Sequence, residues 1–140
     1  MSKDNNWRVR TWIGSIDTEG FTMNIGTWSD TTLYFASAAW VAYPFDKPGV
    51  HSGRQRITDL RSWDQPQRYN SQNITFEGHG FESVPKAFCA LSALDVDKKA
   101  KLTIKGYVDN VTKTKLTWHI DASDDDAVLY HAALTWLCFV

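Results

Sequence analysis

The chain has 140 residues, 43% hydrophobic and 14% aromatic, with a formal net charge of -1. That length holds one domain with a sizeable core, or one and a half small ones. The near-neutral charge without a basic block excludes a nucleic-acid footprint of the usual kind, and no apolar run approaches the roughly 18 residues of a membrane-spanning helix. The first residues, MSKDNNW, contain no apolar h-region, so no signal peptide is expected. The two cysteines, Cys89 and Cys138, sit in apolar strand-like runs and read as buried free thiols.

Taken in order, Trp7 to Ile13 reads as a strand and Gly14 to Glu19 as a turn. Gly20 to Trp40 follows as a hairpin. In its first arm Phe21, Met23 and Ile25 alternate with Thr22, Asn24 and Gly26, the period of a half-buried strand. Thr27 to Thr31 is a polar turn carrying one large aromatic, Trp28, and Leu33 to Trp40 is the second arm. Tyr43 to Gly49, with two prolines and one glycine, reads as a linker. Strands are then expected at Val50–Ile57, Asn73–Phe76, Ala87–Leu94 and Lys101–Val108. A closing hairpin of the same kind as the first spans Lys115 to Val140. Short strands separated by turn signals indicate an all-β antiparallel sandwich.

The two hairpins are related. Laying Leu33-Tyr34 over Leu129-Tyr130 brings Trp40 onto Trp136, an offset of about 96 residues, and one fewer before the turn. The chain therefore divides into a three-stranded unit over residues 1–45 and a six-stranded unit over residues 50–140. Three strands expose an apolar face and are not stable alone. They need the second unit, or another chain, to pack on.

The second unit resembles an H-type lectin domain, the fold of gastropod agglutinins and of the discoidin C-terminal domain. The residues that carry the likeness are Val50 to Gly53, Trp63, the NITF at Asn73, Ala87 to Asp95, Asn110 to Thr112 and Trp136. The first unit is similar to the last three strands of that domain through Arg8-Val9, Gly20-Phe21, Thr27-Trp28, Leu33-Tyr34 and Trp40. The resemblance implies a six-stranded antiparallel β-sandwich that assembles as a trimer. It further implies binding of galactose and N-acetylgalactosamine glycans between subunits, without catalysis, cofactor or metal. Arg8, Trp28, Ser29 and Tyr34 fall on the family's binding arginine, aromatic, following polar residue and tyrosine. Asp64 is the nearest acidic residue to the position of the aspartate that a neighbouring subunit supplies.

The chemistry of these residue types agrees with such a role. An indole face stacks on the C–H face of a sugar, Arg offers a rigid fork of donors, and Ser and Tyr hydroxyls donate and accept. Each residue also has a plainer reading: Trp28 and Tyr34 as core aromatics, Arg8 as a solvated strand residue. The second unit departs from the pattern, with Thr103 at the arginine position and no aromatic in the turn at Ala122 to Asp126. Asp121 and Asp124 to Asp126 match no calcium loop and read as an acidic turn. The expected function is a multivalent defence-type lectin, acting in the cytoplasm or released onto extracellular glycans, with homo-oligomers and glycans as its partners and no nucleic acid or membrane. The competing expectation is a β-sandwich module that assembles a larger complex and binds no sugar.

Overall fold

In the computed structural model, which describes residues 4–99 and 103–140, alternation of buried and outward residues is clearest over residues 115–122. The starts of two readings, the N-terminal Met1 to Lys3 and the strand start at Lys101-Leu102, lie outside the described residues. The strands are β1 (Trp7–Ile16), β2 (Phe21–Gly26), β3 (Val50–Arg56), β4 (Tyr69–Thr75), β5 (Lys86–Val96), β6 (Ile104–Asp109), β7 (Lys115–Ala122) and β8 (Leu129–Phe139). A short 3-10 turn over Ile57–Asp59 is the only helical element among the described residues. Every strand pairing is antiparallel. One sheet has the order β2-β1-β5-β8-β3, and a second has the order β4-β7-β6.

The core lies between the sheets and belongs to the second unit. β7 buries Leu116, Trp118, Ile120 and Ala122, every second residue, while the residues between face outward. Opposite them β8 buries Leu134, Trp136 and Cys138. Two glycines let the layers close. A Cβ on Gly106 of β6 would sit 2.6 Å from Leu134 Cδ1, and one on Gly53 of β3 would sit 2.7 Å from the Trp136 ring. At both positions a methyl group would displace a core side chain. Cys138 is fully buried, and burial pushes its thiol up to about 11. Cys89 is half-buried, burial also raises its thiol, and both cysteines are free.

The first unit joins the larger sheet through β1, which pairs Trp7–Arg10 with Val96–Ala93 of β5. β5 is thereby paired on both sides, which removes an open edge. The hairpin β1–β2 also repeats the register of β6–β7. Arg10 faces Gly26 as Lys105 faces Asp121, and Trp12 faces Asn24 as Tyr107 faces His119. A shift of about 95 residues maps one ladder onto the other. The two hairpins thus share one strand register.

Three expectations about the elements need correction. Neither 20–40 nor 115–140 is a hairpin. β2 pairs with β1, β7 pairs with β4 and β6, and β8 lies in the other sheet between β5 and β3. The second stretch is an arch that crosses from one sheet to the other, whereas in the first Trp40 lies back against Phe21 of β2, ring centroids 4.9 Å apart; strand alternation is the same for either course as for a hairpin. Second, Leu33 to Trp40 forms no strand. Its counterpart in β8 is flanked by β5 and β3; the first unit has no copies of those two strands, so its backbone has no ladder to enter. Third, several bounds shift. β1 runs on to Ile16, so that the turn is Asp17 to Gly20, and β4 starts at Tyr69 rather than Asn73.

Candidate functional site

The β1–β2 ladder decides which of the candidate residues meet. Pairing Arg10 with Gly26 places the turn after β2 beside the start of β1. Thr27 Oγ1 donates to the Arg8 carbonyl at 2.8 Å. Thr31, buried, donates from its Oγ1 to the Asn6 carbonyl at 2.6 Å. The turn is thus tied at one end to β1 and at the other to the residue just before it. Ser29, with φ +57, sits in the left-handed region and sends the chain around. Trp28 is half-buried, and the Arg10 guanidinium lies over its ring at 5.7 Å and over the Trp12 ring at 5.0 Å.

Arg8 is the electrostatic centre of this corner. Its side chain is only 15% exposed. It donates from Nη1 to Asp30 Oδ1 at 2.5 Å, and its Nε lies 3.2 Å from Asp95 Oδ1. Arg8 and Asp95 face each other directly in the β1–β5 ladder. Burial alone would lower the pKa of the guanidinium, but the hydrogen bond to Asp30 and the field of Asp95 outweigh it and raise it. Asp30 is exposed, and the hydrogen bond from Arg8 lowers its carboxyl. For Asp95 the balance runs the other way. Desolvation exceeds the attraction of Arg8, so its carboxyl is raised. Its Oδ1 is buried and, despite the ion pair, accepts no well-formed hydrogen bond.

Arg8, Trp28 and Ser29 therefore share one corner of the sheet. Tyr34 follows on the strandless segment, 76% exposed. Among the described residues no hydrogen bond, ion pair or ring contact links Tyr34 or Asp64 to Arg8. Asp64 is exposed in the loop after the 3-10 turn, where its neighbour Trp63 lies 6.5 Å from the ring of Tyr130. Sequence reasoning missed Asp30 and Asp95, the two carboxylates that hold Arg8. Asp30 lies two residues beyond Trp28 in a turn already singled out. Asp95 ends an apolar run, and only the β1–β5 pairing brings it to Arg8.

The matching corner of the second unit is built differently. Thr103 donates from its backbone N–H to Asp124 Oδ2 at 2.9 Å, Asp125 pairs with Arg68, and Asp121 accepts from the Tyr107 hydroxyl at 3.0 Å. Local partners thus take up three carboxylates of the acidic turn. No group of three or more metal-ligating side chains gathers among the described residues.

The fold is an antiparallel β-sandwich, and its first hairpin carries an Arg–aromatic corner. The sequence profile of the H-type lectin domain matches residues 1–43 and 71–139, and the chain belongs to that family. The family is carbohydrate-binding and non-enzymatic. A search of the curated proteins gave no match. Among the described residues no helix is long and apolar enough to cross a membrane.

Proposed function

We propose that the protein binds galactose and N-acetylgalactosamine-type glycans, at sites shared between units. Arg8, Trp28, Ser29 and Tyr34 form one side of each site, and Asp64 of another copy forms the other. The observation that carries this reading is the corner itself: Arg8, fixed by Asp30 and Asp95, beside Trp28 and Ser29 on a turn anchored at both ends to Arg8 and Asn6. A fixed guanidinium loses little freedom on meeting sugar hydroxyls. The exposure of Asp64 and Tyr34 within the chain is consistent with a site completed by a second copy. Contacts of this kind are few and polar, so single sites are weak, and a trimer or a multiple of it gains avidity through effective concentration.

The partial-repeat reading goes with this. Residues 1–45 act as an added half-unit that supplies the binding corner, and residues 50–140 act as the sandwich that carries it. A second reading, an assembly module without sugar chemistry, is favoured by the exposed aromatics Phe35, Trp40 and Phe45 on the strandless segment. A glycan array on the native protein and on Trp28→Ala separates the two. The lectin reading expects binding to terminal galactose or N-acetylgalactosamine, reduced at least tenfold in the variant. The assembly reading expects a silent array.

A further inference from the structure

One row of residues crosses all five strands of the larger sheet. Gly26 faces Arg10, Arg10 faces Ala93, Ala93 faces Ala133, and Ala133 faces Arg56. Alternation puts this row on the outer face. Leu94 and Ala132 belong to the core packing, whereas Ala93 and Ala133, also buried, stand outside that cluster. With strands about 4.8 Å apart, the two arginine backbones stand some 14 Å apart over a floor of two alanines. Arg54, two residues before Arg56 on β3, faces the same way.

These three arginines differ from Arg8 in their surroundings. Arg8 has two carboxylates. Among the described residues no carboxylate lies within ion-pair distance of Arg10, Arg54 or Arg56. The charges that act on Arg54 are Arg56 and Arg10, both of like sign, and with partial burial they lower its pKa. His131, on the next row of β8, is likewise held down by burial and by Arg54, Arg56 and Arg61, against which Asp59 pulls the other way. A chain of net charge -1 thus concentrates unpaired positive charge on one sheet face. That face adjoins the indole of Trp28, over which Arg10 lies.

We propose that this face takes an oxyanion, the sulfate or carboxylate of an acidic glycan, on Arg10, Arg54 and Arg56. The proposal rests on the sugar-binding reading and adds the charge of the ligand to it. Guanidinium forks match the planar or tetrahedral oxygens of such groups and form charge-assisted hydrogen bonds with them. The alanines between the arginines are themselves buried, so the group would rest on the exposed guanidinium ends, and the Trp28 corner lies alongside for the sugar ring that bears it. The patch is a single row rather than a basic stripe along the molecule, which suits a short acidic sugar better than a nucleic acid.

The test uses the whole protein and three probes: N-acetylgalactosamine, oligosaccharides of a sulfated galactan, and the same oligosaccharides after desulfation. The sulfated form should bind roughly tenfold tighter at low salt, and raising the salt should erase most of the difference. The double variant Arg54→Gln/Arg56→Gln changes two exposed side chains, so it should fold as the parent does. Circular dichroism checks that point. It should bind the sulfated and desulfated forms alike, while N-acetylgalactosamine binding stays at the parent level. Equal affinity of the parent for both galactans would overturn the anion site and leave the lectin reading standing. A sulfate preference that survives in the double variant would overturn the assignment to these arginines. So would binding of a short single-stranded DNA as tight as that of the sulfated galactan. Binding of none of the sugars would overturn both readings together.

Discussion

Arg8 and Asp95 form a pair whose partners depend on each other unequally. Both side chains are mostly buried, and Asp95 keeps an unsatisfied oxygen even with Arg8 present. Removing the arginine leaves a carboxylate in a desolvated place with no counter-charge. Removing both leaves neither charge. Arg8→Ala should therefore cost about 1–3 kcal/mol in urea unfolding, and Arg8→Ala/Asp95→Ala should recover a good part of that loss. If the double variant is as unstable as the sum of the singles, the two residues are not coupled in this way. His131 gives the residue scale its pH dependence. Burial and three nearby arginines hold its pKa below 6.5 in the folded chain. Between that depressed value and 6.5 the unfolded chain binds more protons, so stability rises with pH across this window. Unfolding midpoints should be higher at about pH 7.5 than at about pH 5.5, and His131→Gln should flatten that part of the profile. An unchanged profile would show that His131 is not the group responsible.

Two stretches of related sequence have different fates among the elements. Leu129 to Trp136 lies in an inner strand of a five-stranded sheet, paired with β5 and, from Ala133 on, with β3 as well. Leu33 to Trp40, its counterpart by the repeat, donates no backbone hydrogen bond among the described residues. Hydrogen exchange should divide them sharply. Amides of the central part of β8 should exchange near the rate of global opening, and those of Leu33 to Trp40 close to the rate of free peptide, a gap of at least roughly a thousandfold. Comparable protection in the two would mean that the first unit finds partners for its third strand. The same contrast explains what could be read in advance. Alternation along Phe21–Ile25 made that strand visible, because the signal is local. Whether the next strand pairs with it or crosses to the other layer depends on partners far along the chain, and alternation carries no mark of it. So it was for the site. The resemblance to the family's binding set pointed to Arg8, Trp28 and Tyr34, and the β1–β2 ladder brings Arg8 and Trp28 to one corner. Asp95 lies 87 positions from Arg8 and reaches it only through strand pairing. The outer arginine row has no sequence signature at all, because its members come from β1 and β3 and are aligned through β5 and β8.

The proposed division into an added half-unit and a carrying sandwich can be tested on the whole molecule. The core cluster draws every buried member from the stretch Ile57 to Cys138. Nothing in β1 or β2 is buried, and Ile13 and Ile16 of β1 stay more than half exposed. What the first unit adds is an edge pairing to β5 over Trp7–Arg10, the ion pair of Arg8 with Asp95, and hydrogen bonds from Thr11 to the Ser92 carbonyl and from Lys98 to Asn6 and Asp4. Together they are worth a few kcal/mol, less than the stability of an ordinary domain. A chain of residues 46–140 should therefore still fold. Its unfolding should remain a single cooperative transition at a lower midpoint, with near-ultraviolet dichroism from the buried Trp118 and Trp136 retained. Its denaturant slope should fall somewhat, since less surface is exposed on unfolding. It should lose glycan binding, because Arg8, Trp28, Ser29 and Tyr34 all go with the deleted part. Its uncovered β5 edge should make it more prone to associate at high concentration, since an unpaired strand edge seeks another. A shortened chain without cooperative unfolding would mean that the two units form one folding unit. A shortened chain that still binds galactose-type glycans would move the sugar site into the second unit, and the Trp28 corner would then need another role.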